Sequence, residues 1–246
     1  MPAPRDDLRL DVLLARNLGT SRTAVRALIG GGAVEIDGAP VEDPRFGIPR
    51  ARLPLPVTVE GEGYLLYDQA RVLLNKPLGC VTALRDTHHP TAYDLVREAP
   101  LIDELRPVGR LDLDTSGLLL WTTDGAEIQR LTHPKRAIPR VYQAALARRF
   151  TAPPANFVLD DGHVPQIAAL DELPRDAAHP SLAIPAETAL LGTITVVGGA
   201  YHEVRRIFAA LGSHVLGLCR VRFGDLELPR DLAPGAYRLL AEEPIA

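Results

Sequence analysis

Apolar positions near the start of the chain recur at helical spacing. Leu10, Leu13, Leu14 and Leu18 share one face and Gly19 follows as a stop, so residues 8 to 18 are predicted to form a short amphipathic helix. Ser21 stands where an N-cap belongs, ahead of a second helix whose apolar stripe is Val25, Leu28 and Ile29 and which ends at Gly30, Gly31 and Gly32. Arg22 and Arg26 lie one turn apart on another face of it. Residues Val34 to Val41 alternate around Asp37 and Gly38, a hairpin signature. The stretch from Pro44 to Tyr67 is rich in proline and glycine and reads as the end of that hairpin plus a linker.

Further on the pattern becomes that of strands. Val72 to Asn75, Leu118 to Thr122, Val141 to Ala147, Thr193 to Val197 and His214 to Val221 are strand candidates, whereas residues 150 to 186 carry many prolines and read as surface loop with room for one strand. One helix stands out among them: Val204, Ile207, Phe208 and Leu211 form a buried stripe that Gly212 closes. Sparse helices without regular strand–helix alternation predict an α+β domain with a mixed, largely antiparallel sheet. The expected division is a small unit over residues 1 to 60 and a larger domain over 61 to 246.

Charge complicates the picture. The 27 basic against 31 acidic residues leave a net charge of −4, whereas a nucleic-acid partner usually shows as a basic excess. All the basic residues except Lys76 and Lys135 are arginine, whose planar fork suits phosphate and base faces, but a biased genome yields the same skew. Cys80 and Cys219 form no CxxC pair and read as two reduced, buried thiols. No window holds the 18 or more apolar residues of a membrane span, and the opening residues lack the apolar core of a secretory signal, so no membrane partner and a cytoplasmic location are expected.

The N-terminal helix, Arg-bearing helix and hairpin resemble the S4-like RNA-binding domain. The resemblance is carried by Arg9 to Leu14, Leu18 to Arg22, Ala27 to Ile29 and the Val34 to Val41 hairpin. It implies that Arg22 and Arg26 touch phosphates, contacts that position RNA without reading its sequence. Two solvated arginines on an exposed helix face are the plain alternative.

The segment Gly109-Arg110-Leu111-Asp112-Leu113-Asp114-Thr115-Ser116-Gly117-Leu118 places two carboxylates in a glycine-bounded loop that feeds an apolar strand. Charge at the edge of a core costs free energy unless something pairs with it. By itself the pattern leaves open a hydrogen-bonded turn, a glycosidase pair or a metal site. The segment also closely resembles the nucleophile-bearing motif of pseudouridine synthases, in the branch that modifies single uridines of bacterial ribosomal RNA. That resemblance implies a catalytic role for Asp112, a structural one for Asp114, and a role for Arg110 in holding the extruded nucleotide. Isomerisation breaks the N1–C1′ bond, turns the uracil and joins C5 to C1′ with no redox change, so a carboxylate suffices and neither metal nor organic cofactor is expected.

Two further segments extend the resemblance. Tyr201-His202-Glu203-Val204-Arg205-Arg206 matches the family's third motif, in which the first basic residue pairs with the catalytic Asp; this implies an Arg205–Asp112 ion pair, with His202 and Arg206 beside it facing RNA. Tyr142 matches the family's strand tyrosine, an aromatic ring for the flipped uracil. Leu73 to Gly79 and Asp231 to Arg238 resemble other family segments, and Lys76 is either a phosphate contact or a solvated lysine. The chain departs from the family at Ile138 to Val141, Gly198, Ala200 and Glu203. Taken together the resemblance implies an enzyme that makes pseudouridine in small-subunit (16S) ribosomal RNA, acting on the RNA or on an assembly intermediate, and a monomer is the default expectation. Large-subunit RNA is the alternative substrate, and a catalytically idle RNA-binding or ribosome-assembly protein is the alternative of another class.

Overall fold

In the computed structural model the described residues are 7–241 and 245, so the opening residues read above for a secretory signal lie outside them. The chain divides into two compact units. The first runs to Ala70 and takes in Glu98–Leu105; the second holds Arg71–Arg97 and the chain from Arg106 onward.

The first unit contains β1 (Asp7–Arg9), α1 (Leu10–Asn17), α2 (Arg22–Gly30), β2 (Val34–Ile36), β3 (Ala39–Pro40), β4 (Gly47–Pro49), β5 (Leu55–Val59) and β6 (Glu62–Leu66). Both helices arise where the apolar spacing predicts them. Ser21 Oγ caps α2 by accepting from the amide of Ala24 at 3.2 Å. Asp37 and Gly38 both take positive φ, as a two-residue hairpin turn requires, and Ile36 pairs with Ala39 across it.

The linker expected up to Tyr67 is corrected: much of it is strand. Leu55, Val57 and Val59 alternate inward onto the core of α1 and α2, and β5 pairs with both β2 and β6. Pro56 disguises this period of two, and it is tolerated because β2 pairs only with Val57 to Val59, leaving the Pro56 position without a neighbour on that side. The unit therefore ends at Ala70 and not at residue 60. Arg16 binds both Asp68 (3.1 Å) and Glu104 (2.8 Å), which ties residues 98–105 to it.

The second unit holds β7 (Arg71–Lys76), β8 (Arg106–Pro107), β9 (Thr115–Thr122), α3 (Gly125–Thr132), β10 (Arg140–Leu146), β11 (Ile167–Glu172), β12 (Leu190–Val196), α4 (Glu203–Ala210), β13 (Val215–Phe223), β14 (Leu226–Glu227) and β15 (Tyr237–Leu239). Among the described residues they build one nine-stranded sheet in the order β11-β12-β10-β13-β9-β7-β15, with β14 on β13 and β8 on β9. Every pairing is antiparallel except that of β9 with β13. At this parallel seam Arg220 faces Gly117, whose φ is +106°; a β-carbon there would lie 2.3 Å from the Arg220 carbonyl oxygen, so only glycine lets the strands close.

The sheet is covered on both faces. Val204, Ile207, Phe208 and Leu211 pack on Ala144, Leu146, Ile194, Val196 and Leu218, as the helical stripe predicts. A second cluster gathers Leu118, Leu120, Ala145, Cys219 and Phe223 with Leu131 of α3. That helix carries too few apolar residues to show a period, and Asp124 caps it. Both cysteines are free and buried, and burial pushes the Cys219 thiol up to about 11.

Candidate active site

Strand β9 enters the sheet beside β7, and the loop before it is fixed by its backbone. Leu111 exchanges two hydrogen bonds with the Thr82 hydroxyl, at 2.8 and 3.0 Å. The Gly79 amide donates to the Leu113 carbonyl and that of Thr115 to the Asp112 carbonyl. Lys76 completes the support: its ammonium donates to the carbonyls of Asp112 (2.9 Å), Thr115 (2.8 Å) and Pro77 (3.1 Å).

Both surface readings of Lys76 are thereby corrected. The side chain is fully buried, so it neither meets RNA phosphate nor lies in solvent. It pairs in register with Gly117, which has no side chain to fill the space beneath the loop. Burial pushes its pKa down, while Cys80, Asp112 and Asp114 pull it the other way.

The loop presents Asp112 with its side chain 42% exposed, next to His202, whose Nε2 lies 3.7 Å from Oδ1. That distance is beyond a hydrogen bond. His202 has φ +49°, a left-handed conformation uncommon for a residue with a side chain, at the start of α4. Its ring stacks on Tyr201 with centroids 3.9 Å apart, and Tyr201 is 77% exposed.

The expected Arg205–Asp112 ion pair is corrected by the geometry. Arg205 donates from Nη2 to the Asp114 carboxylate (2.9 Å) and carbonyl (3.0 Å), and from Nη1 to the Val215 carbonyl (3.2 Å). Strands β9 and β13 run parallel, so the segments that precede them meet at one end of the seam. Arg205 clasps both, with Asp114 on one side and Val215 on the other. Arg206 is held by Asp160 and Asp161, acids of the proline-rich loop.

Asp112, Arg110, Tyr142, His202 and Arg205 line one cavity of about 830 Å³, together with Arg140, Arg220, His163 and Glu203. Among the described residues Arg110 is exposed and carries no ion pair. Tyr142 is half-buried on β10, just after a register shift in its pairing with β13, and stands opposite Arg220. Such a bulge re-aims the side chains that follow it. The four arginines and carboxylates of this set come from segments far apart in the chain, which the seam and the bulge bring together.

Of the departures from the family pattern, Ile138, Arg140, Gly198, Ala200 and Glu203 line this cavity. A β-carbon on Gly198 would meet both carboxylate oxygens of Glu203 at 3.1 Å, so the small residue makes room for the buried acid. Glu203 Oε1 lies 2.8 Å from His163 Nε2, and Arg140 donates to the Gly198 carbonyl. Burial pushes the Arg140 pKa down, Tyr142 pulls it up, and the charge of Arg220 adds to the downward push.

In the first unit, Asp11 is fully buried and gathers three arginines. It accepts from Arg26 Nε at 2.8 Å, Arg22 Nη2 at 3.0 Å and Arg9 at 3.0 and 3.1 Å. The guanidinium groups hold its carboxyl well below the usual carboxylate range, against the opposing effect of burial. Arg22 and Arg26 each remain half exposed and so form one cationic group in place of two separate solvated side chains.

Arg140, Arg220 and the Asp11 hub escape a reading by motif. Arg220 does leave a signal, a lone charge in the apolar run Val215 to Val221. The Asp11 hub leaves none, because its arginines are reached through the packing of two helices.

The family model for RNA pseudouridylate synthase matches residues 71–210, and that for the S4 domain matches residues 8–49. The chain is 36% identical over 245 residues to the ribosomal small subunit pseudouridine synthase A of Escherichia coli, covering 97% of this chain and 99% of that one. It is 34% identical to the protein of the same name from Vibrio cholerae, covering 97% and 98%. A crystal structure of a pseudouridylate synthase superposes with a TM-score of 0.58 at 32% identity, over 96% of each chain. The chain belongs to the RNA pseudouridine synthase family and carries an S4 domain ahead of its catalytic domain.

Proposed function

We propose that this protein converts a uridine of small-subunit ribosomal RNA to pseudouridine, with Asp112 as nucleophile or base, Tyr142 as the surface for the extruded uracil and Arg205 as the residue that holds the catalytic loop. The observation that carries this reading is Asp112 itself. Its backbone is fixed by Lys76 and Thr115 while its carboxylate stays free of any ion pair closer than His202, at the edge of a cavity large enough for a nucleotide. A carboxylate held in place but unneutralised is what attack on the sugar or base, or removal of a sugar proton, requires.

The small-subunit substrate rests on the relatives that carry that name over nearly the whole chain. Arg110 and His202 face the RNA at the cavity mouth, and Arg9, Arg22 and Arg26 of the S4 domain dock it through phosphates. Arg206 acts through its acids and not as a free phosphate contact. All these groups come from one chain, so a monomer carries the complete site.

The test is a map of pseudouridine in ribosomal RNA from cells with and without the gene, complemented by wild type or Asp112→Asn. Loss of one small-subunit pseudouridine, restored only by wild type, is the expected result. Loss from large-subunit RNA would move the substrate, and an unchanged map would point to a binding protein.

A further inference from the structure

Strand β13 runs Val215-Leu216-Gly217-Leu218-Cys219-Arg220-Val221, and its one charged residue in that run is 2% exposed. Burying a guanidinium is costly unless its donors and charge are met. The protein meets them only in part. Nε donates to the Leu118 carbonyl at 2.8 Å, and the guanidinium lies over the Phe223 ring at 5.3 Å. Nη2 is buried with no acceptor, and among the described residues no carboxylate forms an ion pair with Arg220.

Its setting says what the missing acceptor is. Arg220 stands directly across from Tyr142, and both line the cavity that holds Asp112. Arg140 lies over the same Phe223 ring at 5.1 Å, with the carboxylate of Glu203 acting on its charge. The cavity thus carries two arginines, of which Arg140 feels the charge of Glu203 while Arg220 keeps a buried donor without an acceptor. A phosphate of a flipped nucleotide stays joined to the strand outside, while its base travels furthest in and reaches a group so deeply buried.

We propose that Arg220 is a catalytic residue that donates from Nη2 to a carbonyl oxygen of the extruded uracil and stabilises the charge the ring acquires as its bond to the sugar breaks. The inference rests on the pseudouridine reading above. When N1–C1′ breaks, the electron pair passes into the ring and spreads over N1, O2 and O4. After the ring turns, C5 bonds to C1′, the C5 proton leaves to solvent through the Tyr142 hydroxyl, and N1 takes one proton from solvent. Nothing is oxidised or reduced. A donor fixed where charge develops lowers the barrier without reorganising.

The experiment compares two substrates in single turnover with the full-length protein: a small-subunit RNA fragment carrying uridine at the mapped position, and the same fragment with 5-fluorouridine there. Fluorine stabilises the ring anion by itself, so it substitutes in part for the arginine. Consumption of the nucleoside is followed by digestion and chromatography. Arg220→Gln should slow uridine consumption about 100-fold with RNA affinity held within about threefold, and the loss on 5-fluorouridine should be about tenfold smaller. Arg220→Lys, which keeps the charge but not the fork, should fall between, and it carries the comparison if the glutamine variant does not fold. Equal losses on the two substrates would mark Arg220 as structural, and so would a loss confined to RNA affinity; either overturns the proposal. If wild type itself leaves uridine unconverted, the pseudouridine reading fails along with it, whereas an active wild type with substrate-independent losses removes only the role of Arg220.

Discussion

Arg205 reaches the carboxylate of Asp114, at 2.9 Å, and leaves that of Asp112 to face the cavity. Two acids two positions apart in one loop are thereby divided into one held in an ion pair and one open to the cavity. Arg205→Ala and Asp114→Asn should each lower kcat, and the double mutant should be little worse than either, because both break one clasp. Additive losses in a double-mutant cycle would contradict this coupling.

Asp112→Asn should abolish turnover, by at least about 100-fold, with RNA affinity within about threefold, since an amide keeps the shape but serves as neither nucleophile nor base. Retention of a tenth or more of wild-type activity would remove Asp112 from the reaction.

Lys76→Met should lower stability by roughly 2–5 kcal/mol, because three carbonyls lose their donor where water does not replace it. The variant should also lower kcat more than it raises KM, because the loop it supports carries Asp112. Urea unfolding together with steady-state kinetics checks both halves.

Gly117→Ala should prevent closure of the seam, since the added carbon would lie 2.3 Å from a backbone oxygen and at a φ that only glycine takes readily. Little or no soluble folded protein is expected, and a wild-type melting curve would show that the strands can part there.

Asp11 gives the first unit a pH dependence of known sign. Its folded pKa is depressed by Arg22, Arg9 and Arg26, so its contribution is complete above the ordinary Asp value and fades as pH falls below about 4. The stability difference between wild type and Asp11→Asn should be constant from pH 7 to about 5 and shrink on further acidification. Melting curves across that range decide it; a difference that grows in acid would reverse the sign.

Much of this architecture was legible beforehand. The stripe of α4, the two N-terminal helices and the Asp-Gly hairpin follow from local periodicity, which sequence displays directly. Strand β5 did not, because Pro56 interrupts its alternation and only the pairing with β2 and β6 reveals it. At the site, Asp112, Tyr142 and Arg205 were recognisable by motif, and all three line the cavity. Their partners were not: whether Arg205 binds Asp112 or Asp114 depends on a few ångströms of loop placement. The burial of Lys76 depends likewise on the register of β7 against β9.

The parallel seam also sets an order of events during synthesis. Thr115 pairs with Leu218 and Gly117 with Arg220, so the strand that completes the site is made about a hundred residues after the one that carries the catalytic loop. At roughly 5–20 residues per second the ribosome needs several seconds to bridge that interval. The S4 elements emerge first, and the stretch Glu98–Leu105 that joins their unit follows only after Arg71–Arg97 of the second unit. A nascent chain therefore has its S4 elements before it has a complete cavity around Asp112, which closes only when β13 pairs with β9.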